Sequence, residues 1–226
     1  MFLRRVTCRH RPQIFRKIAV SRIDRLRLKK EAQILRQARH SAVPRLLDFA
    51  ERAASSELLM ERMPGVPLSR VLQKGQSAPN ACLEQIGDAI RHLHNLGWNH
   101  SDIKPANILI NQTDAYVVDF NAAAPLGKNY NELGQRSFSP SYASWRQLTG
   151  RGTVSVKDDE FSLELTRFVN STHRHPFGGQ SVAAFFSLDA NDIYLATKSF
   201  GRRFRDCVLE QYDFFESETQ DIQSFN

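Results

Sequence analysis

The segment His100-Ser101-Asp102-Ile103-Lys104-Pro105-Ala106-Asn107-Ile108-Leu109 constrains this chain more than any other feature. It sets His100, Asp102, Lys104 and Asn107 at fixed intervals between a helical pattern and a strand pattern. A second element follows 17 residues after Asp102, where the apolar run Val117-Val118 ends in Asp119-Phe120-Asn121. A polar turn after a helix accounts for the first segment but not for the second. Phosphoryl transfer accounts for both. A carboxylate must orient the attacking hydroxyl, and a cation must neutralise the moving group. An amide oxygen and a carboxylate at a strand end can hold Mg²⁺.

The flanking pattern predicts a mixed scaffold. Residues 13–20 alternate as a strand, and residues 22–39 read as a helix with Leu28, Glu31, Ala32 and Leu35 on one face. Short strands are expected near 44–50 and 57–62, before Pro64-Gly65 breaks the pattern and marks a boundary. A helix over 81–96 carries Leu83, Ile86, Ile90 and Leu93 on one stripe, with Asn80 as its expected N-cap and Gly97 as its stop. Strands near 108–110 and 115–118 follow, then a long loop over 120–150 and a helix over 159–170. The last 50 residues are expected to be helical in part.

Composition narrows the setting. With 41% hydrophobic and 24% charged residues the chain is globular, and charges interrupt every apolar stretch short of a membrane span. Met1-Phe2-Leu3 runs directly into Arg4-Arg5, so no secretory signal is expected. An Arg-rich, acid-poor start also suits a mitochondrial transit peptide, but the fold needs residues of this stretch. Cys8, Cys82 and Cys207 are widely separated and odd in number, which fits a reducing, cytoplasmic compartment. The net charge of +7 is uneven. Residues 1–40 hold 13 Lys and Arg against Asp24 and Glu31, whereas six acids and no Lys or Arg occur from Asp206 onward. Such a basic head suits an acidic or phosphorylated partner, or is simply a solvated helix face. Nucleic acid is not an expected partner.

From Ile14 to Gly179 these motifs resemble the eukaryotic-type serine/threonine protein kinases. The resemblance implies an α+β, two-lobed fold: a reduced β-rich N-lobe over residues 1–63 and a mainly helical C-lobe over 64–226. It implies an ATP-dependent enzyme phosphorylating Ser or Thr of a protein substrate, with Mg²⁺ or Mn²⁺. Asp102 would be the catalytic base and Lys104 would contact the transferred phosphoryl, with Asn107 and Asp119 holding the metal. Glu31 lies on an apolar helix face and requires a partner there, and the resemblance supplies Lys17, the pair that grips the α- and β-phosphates. Met60 would stand at the gatekeeper position, with Glu61 and Met63 offering backbone groups to adenine. Ser139-Pro140-Ser141-Tyr142-Ala143-Ser144 resembles the substrate-docking segment, Asp159 to Leu163 the start of the central helix, and His175-Pro176-Phe177-Gly178 the turn after it.

The chain departs from that family at several points. No glycine precedes Gly65, so the phosphate-covering loop is missing or rebuilt, and Phe15 replaces the small residue that roofs adenine. Ser101 replaces the Arg that pairs with a phosphorylated activation loop, which implies that this switch is absent. Asn121 replaces a glycine, a mild change because Asn tolerates left-handed backbone. Trp145-Arg146 replaces the Pro-Glu anchor, which implies a weaker hold on the docking segment. The C-terminal helices are expected to be abridged. Two alternatives follow: a pseudokinase working as a binding scaffold, and a kinase for a small molecule such as a sugar or lipopolysaccharide core. Lys104 and Tyr142 favour protein substrates, and the joint presence of Lys17, Glu31, Asp102, Asn107 and Asp119 argues against a scaffold.

Overall fold

The computed structural model describes residues 13–134 and 137–224. The basic head, including Arg4, Arg5, Arg9, Arg11 and Cys8, lies outside the described residues. Strand β1 (Ile14–Ala19) leads into helix α1 (Arg22–Gln37), capped by the Ser21 hydroxyl, which accepts from the Asp24 amide at 3.1 Å. Leu28, Glu31, Ala32 and Leu35 are buried together on one face of α1, as their spacing predicts. Strands β2 (Leu46–Glu51) and β3 (Ser56–Glu61) complete an antiparallel sheet of order β1-β3-β2. Strand β1 pairs along its whole length, from Ile14 opposite Glu61 to Ala19 opposite Ser56. Its other edge pairs with nothing among the described residues, and Ile14, Ile18 and Val20 there are half or more exposed.

The chain turns at Gly65, whose φ of +104° and 2.4 Å approach of a would-be Cβ to the Ile110 carbonyl oxygen leave room for glycine alone. Strand β4 (Val66–Pro67) and helix α2 (Leu68–Gln73) precede α3 (Asn80–Asn95). Asn80 is not the cap of α3. It is the first helical residue, and Pro79, whose ring cannot cap, occupies the N-cap position. Gly97 closes the helix at φ +81°, its amide bonding the His94 carbonyl. Strand β5 (Trp98–Asn99) pairs with β8 (Ala124–Pro125), while β6 (Ile108–Asn111) and β7 (Asp114–Val117) form a hairpin joined by β4.

The expected loop over 120–150 contains a short helix, α4 (Trp145–Thr149), held by a reciprocal capping box of Ser144 and Gln147 and ended by left-handed Gly150. Helix α5 (Val156–Thr172) starts three residues earlier than its periodicity suggests, because Ser155 and Asp158 form a second capping box. Helices α6 (Val182–Phe185), α7 (Ala190–Thr197) and the 23-residue α8 (Arg202–Ser224) follow. One continuous core links α1 and β3 to α3, β6 and β7 through Leu28, Leu58, Leu83, Ile108 and Phe120. A second, phenylalanine-rich core joins α5 to α8 around Phe161, Phe177, Phe185, Phe200 and Phe204. Among the described residues no helix is long and apolar enough to cross a membrane.

Candidate active site

Alternation along β1 sends Lys17 to the face that covers α1, and one turn of α1 brings Glu31 to meet it. The Lys17 ammonium donates to both Glu31 oxygens at 2.8 and 3.0 Å and to Asp119 Oδ1 at 2.9 Å. Glu31 is fully buried and also accepts from the Phe120 amide at 3.3 Å. The partners respond differently to this shared site. Burial lifts the Glu31 carboxyl above its ordinary range even against Lys17, since no water reaches it. Burial alone would push the Lys17 ammonium down, but Glu31 and Asp119 together outweigh it and the net shift is upward. For Asp119 burial acts upward, and Lys17 outweighs it to hold the carboxyl below its ordinary value. Asp119 takes left-handed backbone at φ +70°, and buried Phe120 packs edge-on against His100 at 5.0 Å. Asn121 donates to Asp119 Oδ1 at 2.7 Å.

The loop between β5 and β6 presents Asp102, Lys104 and Asn107 together. Asp102 Oδ2 accepts from Lys104 Nζ at 2.7 Å and from Asn107 Nδ2 at 3.0 Å. The Val118 amide bonds the Asn107 carbonyl at 3.0 Å, which ties this loop to the strand that delivers Asp119. Buried Asp159 at the start of α5 holds the loop from below, accepting from the amides of His100 at 2.7 Å and Ser101 at 2.8 Å and bonding His94 Nε2 at 2.9 Å. These bonds keep Ser101 in the left-handed region at φ +65°, an arrangement that costs a non-glycine residue about 1 kcal/mol or more. Gln147 Nε2 bonds the Ser101 carbonyl at 2.8 Å.

Ser139, expected only as the start of the docking segment, meets Asp102 and Lys104 directly, a contact that the spacing did not single out. Its amide donates to Asp102 Oδ1 at 2.9 Å, and its hydroxyl lies 2.5 Å from Lys104 Nζ. The pairing crosses more than 30 residues, so no local pattern announces it. The docking segment is also better anchored than Trp145-Arg146 implied. Arg146 Nε reaches Asp158 Oδ1 at 3.2 Å, and Ser144 Oγ and Tyr130 Oη donate to the same carboxylate at 2.6 and 2.8 Å. Helix α8 adds to the anchor: Gln211 accepts the Trp145 amide at 3.0 Å, and Arg146 lies 4.8 Å above the Phe214 ring. A cation on the segment and a carboxylate on α5 thus do the work expected of a carboxylate on the segment.

Met60 is buried in β3, with Glu61 at the strand end and Met63 just beyond. The Glu61 amide bonds the Arg45 carbonyl, whereas the Met63 amide bonds no acceptor among the described residues. Neither residue joins the ion-pair network. Phe15 shares a face with Lys17 and stands 46% exposed there. The expected metal donors, the Asp119 carboxylate and the Asn107 amide oxygen, lie on segments joined by the Val118–Asn107 backbone bond. Both are hard oxygen ligands, and two of them suit a Mg²⁺ that completes its shell with water and phosphate.

The family model of the protein kinase domain matches residues 13–224. Among curated relatives, the chain is 29% identical over 176 residues to the serine/threonine-protein kinase pkn2 of Myxococcus xanthus, covering 73% of this chain and 21% of that protein. It is 32% identical over 171 residues to the serine/threonine-protein kinase PknB of Mycolicibacterium smegmatis, covering 70% and 27%. The hormonally up-regulated neu tumor-associated kinase of Homo sapiens is 30% identical over 179 residues, covering 71% and 25%. The chain therefore spans about a quarter of the length of these relatives.

Proposed function

This chain belongs to the eukaryotic-type serine/threonine protein kinase family, and from that premise we propose that it transfers the γ-phosphoryl of ATP to a Ser or Thr of a protein. The observation that carries the reading is the pairing of Lys17 with Glu31 and Asp119, tied by the Val118–Asn107 backbone bond to the cluster of Asp102, Lys104 and Asn107. In the proposed division, residues 1–63 form a reduced small lobe and 64–226 the large lobe. Lys17 grips the phosphates and Glu31 holds it in place. Glu61 and Met63 offer backbone groups to adenine, in support of which the Met63 amide has no protein acceptor among the described residues.

Asp102 orients the acceptor hydroxyl and takes its proton, while Lys104 neutralises charge on the moving phosphoryl. Asn107 and Asp119 would hold Mg²⁺ or Mn²⁺, which when bound supplies charge neutralisation across the phosphates. The Ser139 contact with Lys104 and Asp102 favours a protein acceptor over a small molecule, because it ties the docking segment to the catalytic pair. The basic head, with its acid-poor sequence, suits an acidic or phosphorylated partner, and free Cys82 and Cys207 suit a cytoplasmic setting.

The test is transfer of radiolabelled phosphate from ATP to a generic protein acceptor. Asp102→Asn and Asp119→Asn should each lower the rate by orders of magnitude in protein that remains folded. Transfer at the unmodified rate by either folded variant sinks the assignment.

A further inference from the structure

Behind the end of β3 lies a cavity of about 940 Å³, at the upper end of the roughly 300–1,000 Å³ usual for ligand pockets. None of Lys17, Glu31, Asp102, Lys104, Asn107 or Asp119 lines it. Its walls are the end of α1, the loop that follows, the end of β3 and Tyr116 of β7. The loop is pinned in place: Ala42 accepts the Val117 amide at 2.9 Å, and Arg45 accepts the Glu61 amide at 2.8 Å. Leu35, Val43 and Met63 give an apolar floor and are at most 9% exposed.

Arg36, Arg39 and Arg45 stand around that floor, and none has a side-chain hydrogen bond or ion pair among the described residues. Elsewhere on the same helix, Arg25 bonds the Ala53 and Arg52 carbonyls, Arg27 reaches Asp24, and Lys29 reaches Glu51. A basic residue in the last turn compensates the helix dipole, which explains Arg36 but not Arg39 and Arg45 beyond the helix end. Glu61 is the one acid at the cavity, and it pairs with none of the three.

We propose that this cavity is a docking site for an acidic segment of another protein, with carboxylates on the arginines and an apolar side chain on the floor between them. Guanidinium groups match carboxylates in two-point geometry, and several of them around apolar surface ask for charges joined by an apolar spacer rather than a single small anion. The site goes beyond the kinase reading and does not depend on it.

The probe is a fluorescein-labelled (Glu-Glu-Leu)₃ peptide, titrated with the full chain and followed by anisotropy. Binding should weaken as salt rises. The triple variant Arg36→Ala, Arg39→Ala, Arg45→Ala should bind about tenfold or more weakly. It should melt like the parent, because all three side chains are exposed. A (Glu-Glu-Ser)₃ peptide should also bind several-fold more weakly. Equal affinity of the triple variant overturns the proposal, as does absence of binding up to roughly 1 mM protein. Full retention of (Glu-Glu-Ser)₃ together with displacement by pyrophosphate would replace it with a small-anion site. Sedimentation showing a dimer that the triple variant loses would make a second copy the occupant and refute the acidic partner. The assay reads binding alone, so its failure leaves the phosphoryl-transfer reading standing.

Discussion

The ion pair of Lys17 and Glu31 is asymmetric, and its two halves should not cost the same to remove. Glu31 is fully buried, whereas the Lys17 side chain is 22% exposed and has Asp119 as a second counter-charge. Breaking a buried pair by deleting one partner typically costs about 3–5 kcal/mol, mostly because the remaining charge is stranded. Lys17→Met strands Glu31 without water, so it should fall in that range at pH 7. Glu31→Gln leaves Lys17 bonded to Asp119 and partly solvated, so it should cost about 1–2 kcal/mol. Acid distinguishes the two further. The Glu31 carboxyl already lies above its ordinary value, and losing Lys17 raises it more. A carboxyl raised in the fold carries a penalty that accumulates as pH rises from the unfolded value to the folded one, and that is relieved as pH falls. The deficit of Lys17→Met should therefore narrow between pH 7 and pH 5, while that of Glu31→Gln should widen, because the raised carboxyl of the parent sheds its own penalty as pH falls and Gln has none to shed. Urea unfolding at both pH values measures this. A larger cost for Glu31→Gln, or a Lys17→Met deficit that ignores pH, would refute the reasoning.

Further outcomes follow from the same geometry. Ser139→Ala removes the hydroxyl on Lys104 and should lower kcat by about tenfold, with Ser139→Thr restoring it, as steady-state kinetics would show. Arg146→Ala strands buried Asp158 and should cost about 2–4 kcal/mol in urea unfolding; adding Asp158→Asn to that variant should recover part of the loss. Burial and neighbouring Arg27 pull the Lys30 ammonium down to about 8, and it has no ion pair among the described residues. Lys30→Met should then stabilise the fold at pH 7 by about 1–3 kcal/mol. Because the penalty is full below the folded value and relieved above it, that gain should shrink from about pH 8 and vanish near the unfolded value of about 10.4.

What was legible in the sequence is what short-range spacing encodes. Glu31 shares a helical face with Leu28 and Leu35, so its burial and its need for a partner follow from a period of 3.6. His100 to Asn107 and Asp119 each sit beside a strand whose apolar run fixes where they emerge. Contacts between distant segments were not legible. Ser139 meets Asp102, Arg146 meets Asp158 and Gln211 meets Trp145 only once the fold closes. Helix α8 escaped because its inward face mixes Phe204 and Val208 with buried polar Gln211, which weakens the apolar period. Asn80 misled because Asn is a good cap in general, and here the chain enters α3 through the fixed φ of Pro79.

Two of the departures read in the sequence, at Ser101 and at Arg146, converge on the first turn of α5. Asp158 and Asp159 are adjacent, fully buried and pointed at different clients. Asp159 takes the amides of His100 and Ser101, which fixes the loop carrying Asp102. Asp158 takes Ser144, Arg146, Tyr130 and the Ser155 amide, which fixes the segment carrying Ser139. Two carboxylates side by side without water would ordinarily repel, and burial does raise the Asp158 carboxyl. Each is met by several donors, and both lie at the positive end of α5, where anions are favoured. The relative position of Asp102 and Ser139 is thus set by one rigid helix terminus. Arg146 provides the cation that the docking segment needs, and it finds its carboxylate within the fold. Position 101 joins that network through its backbone, its amide on Asp159 and its carbonyl on Gln147.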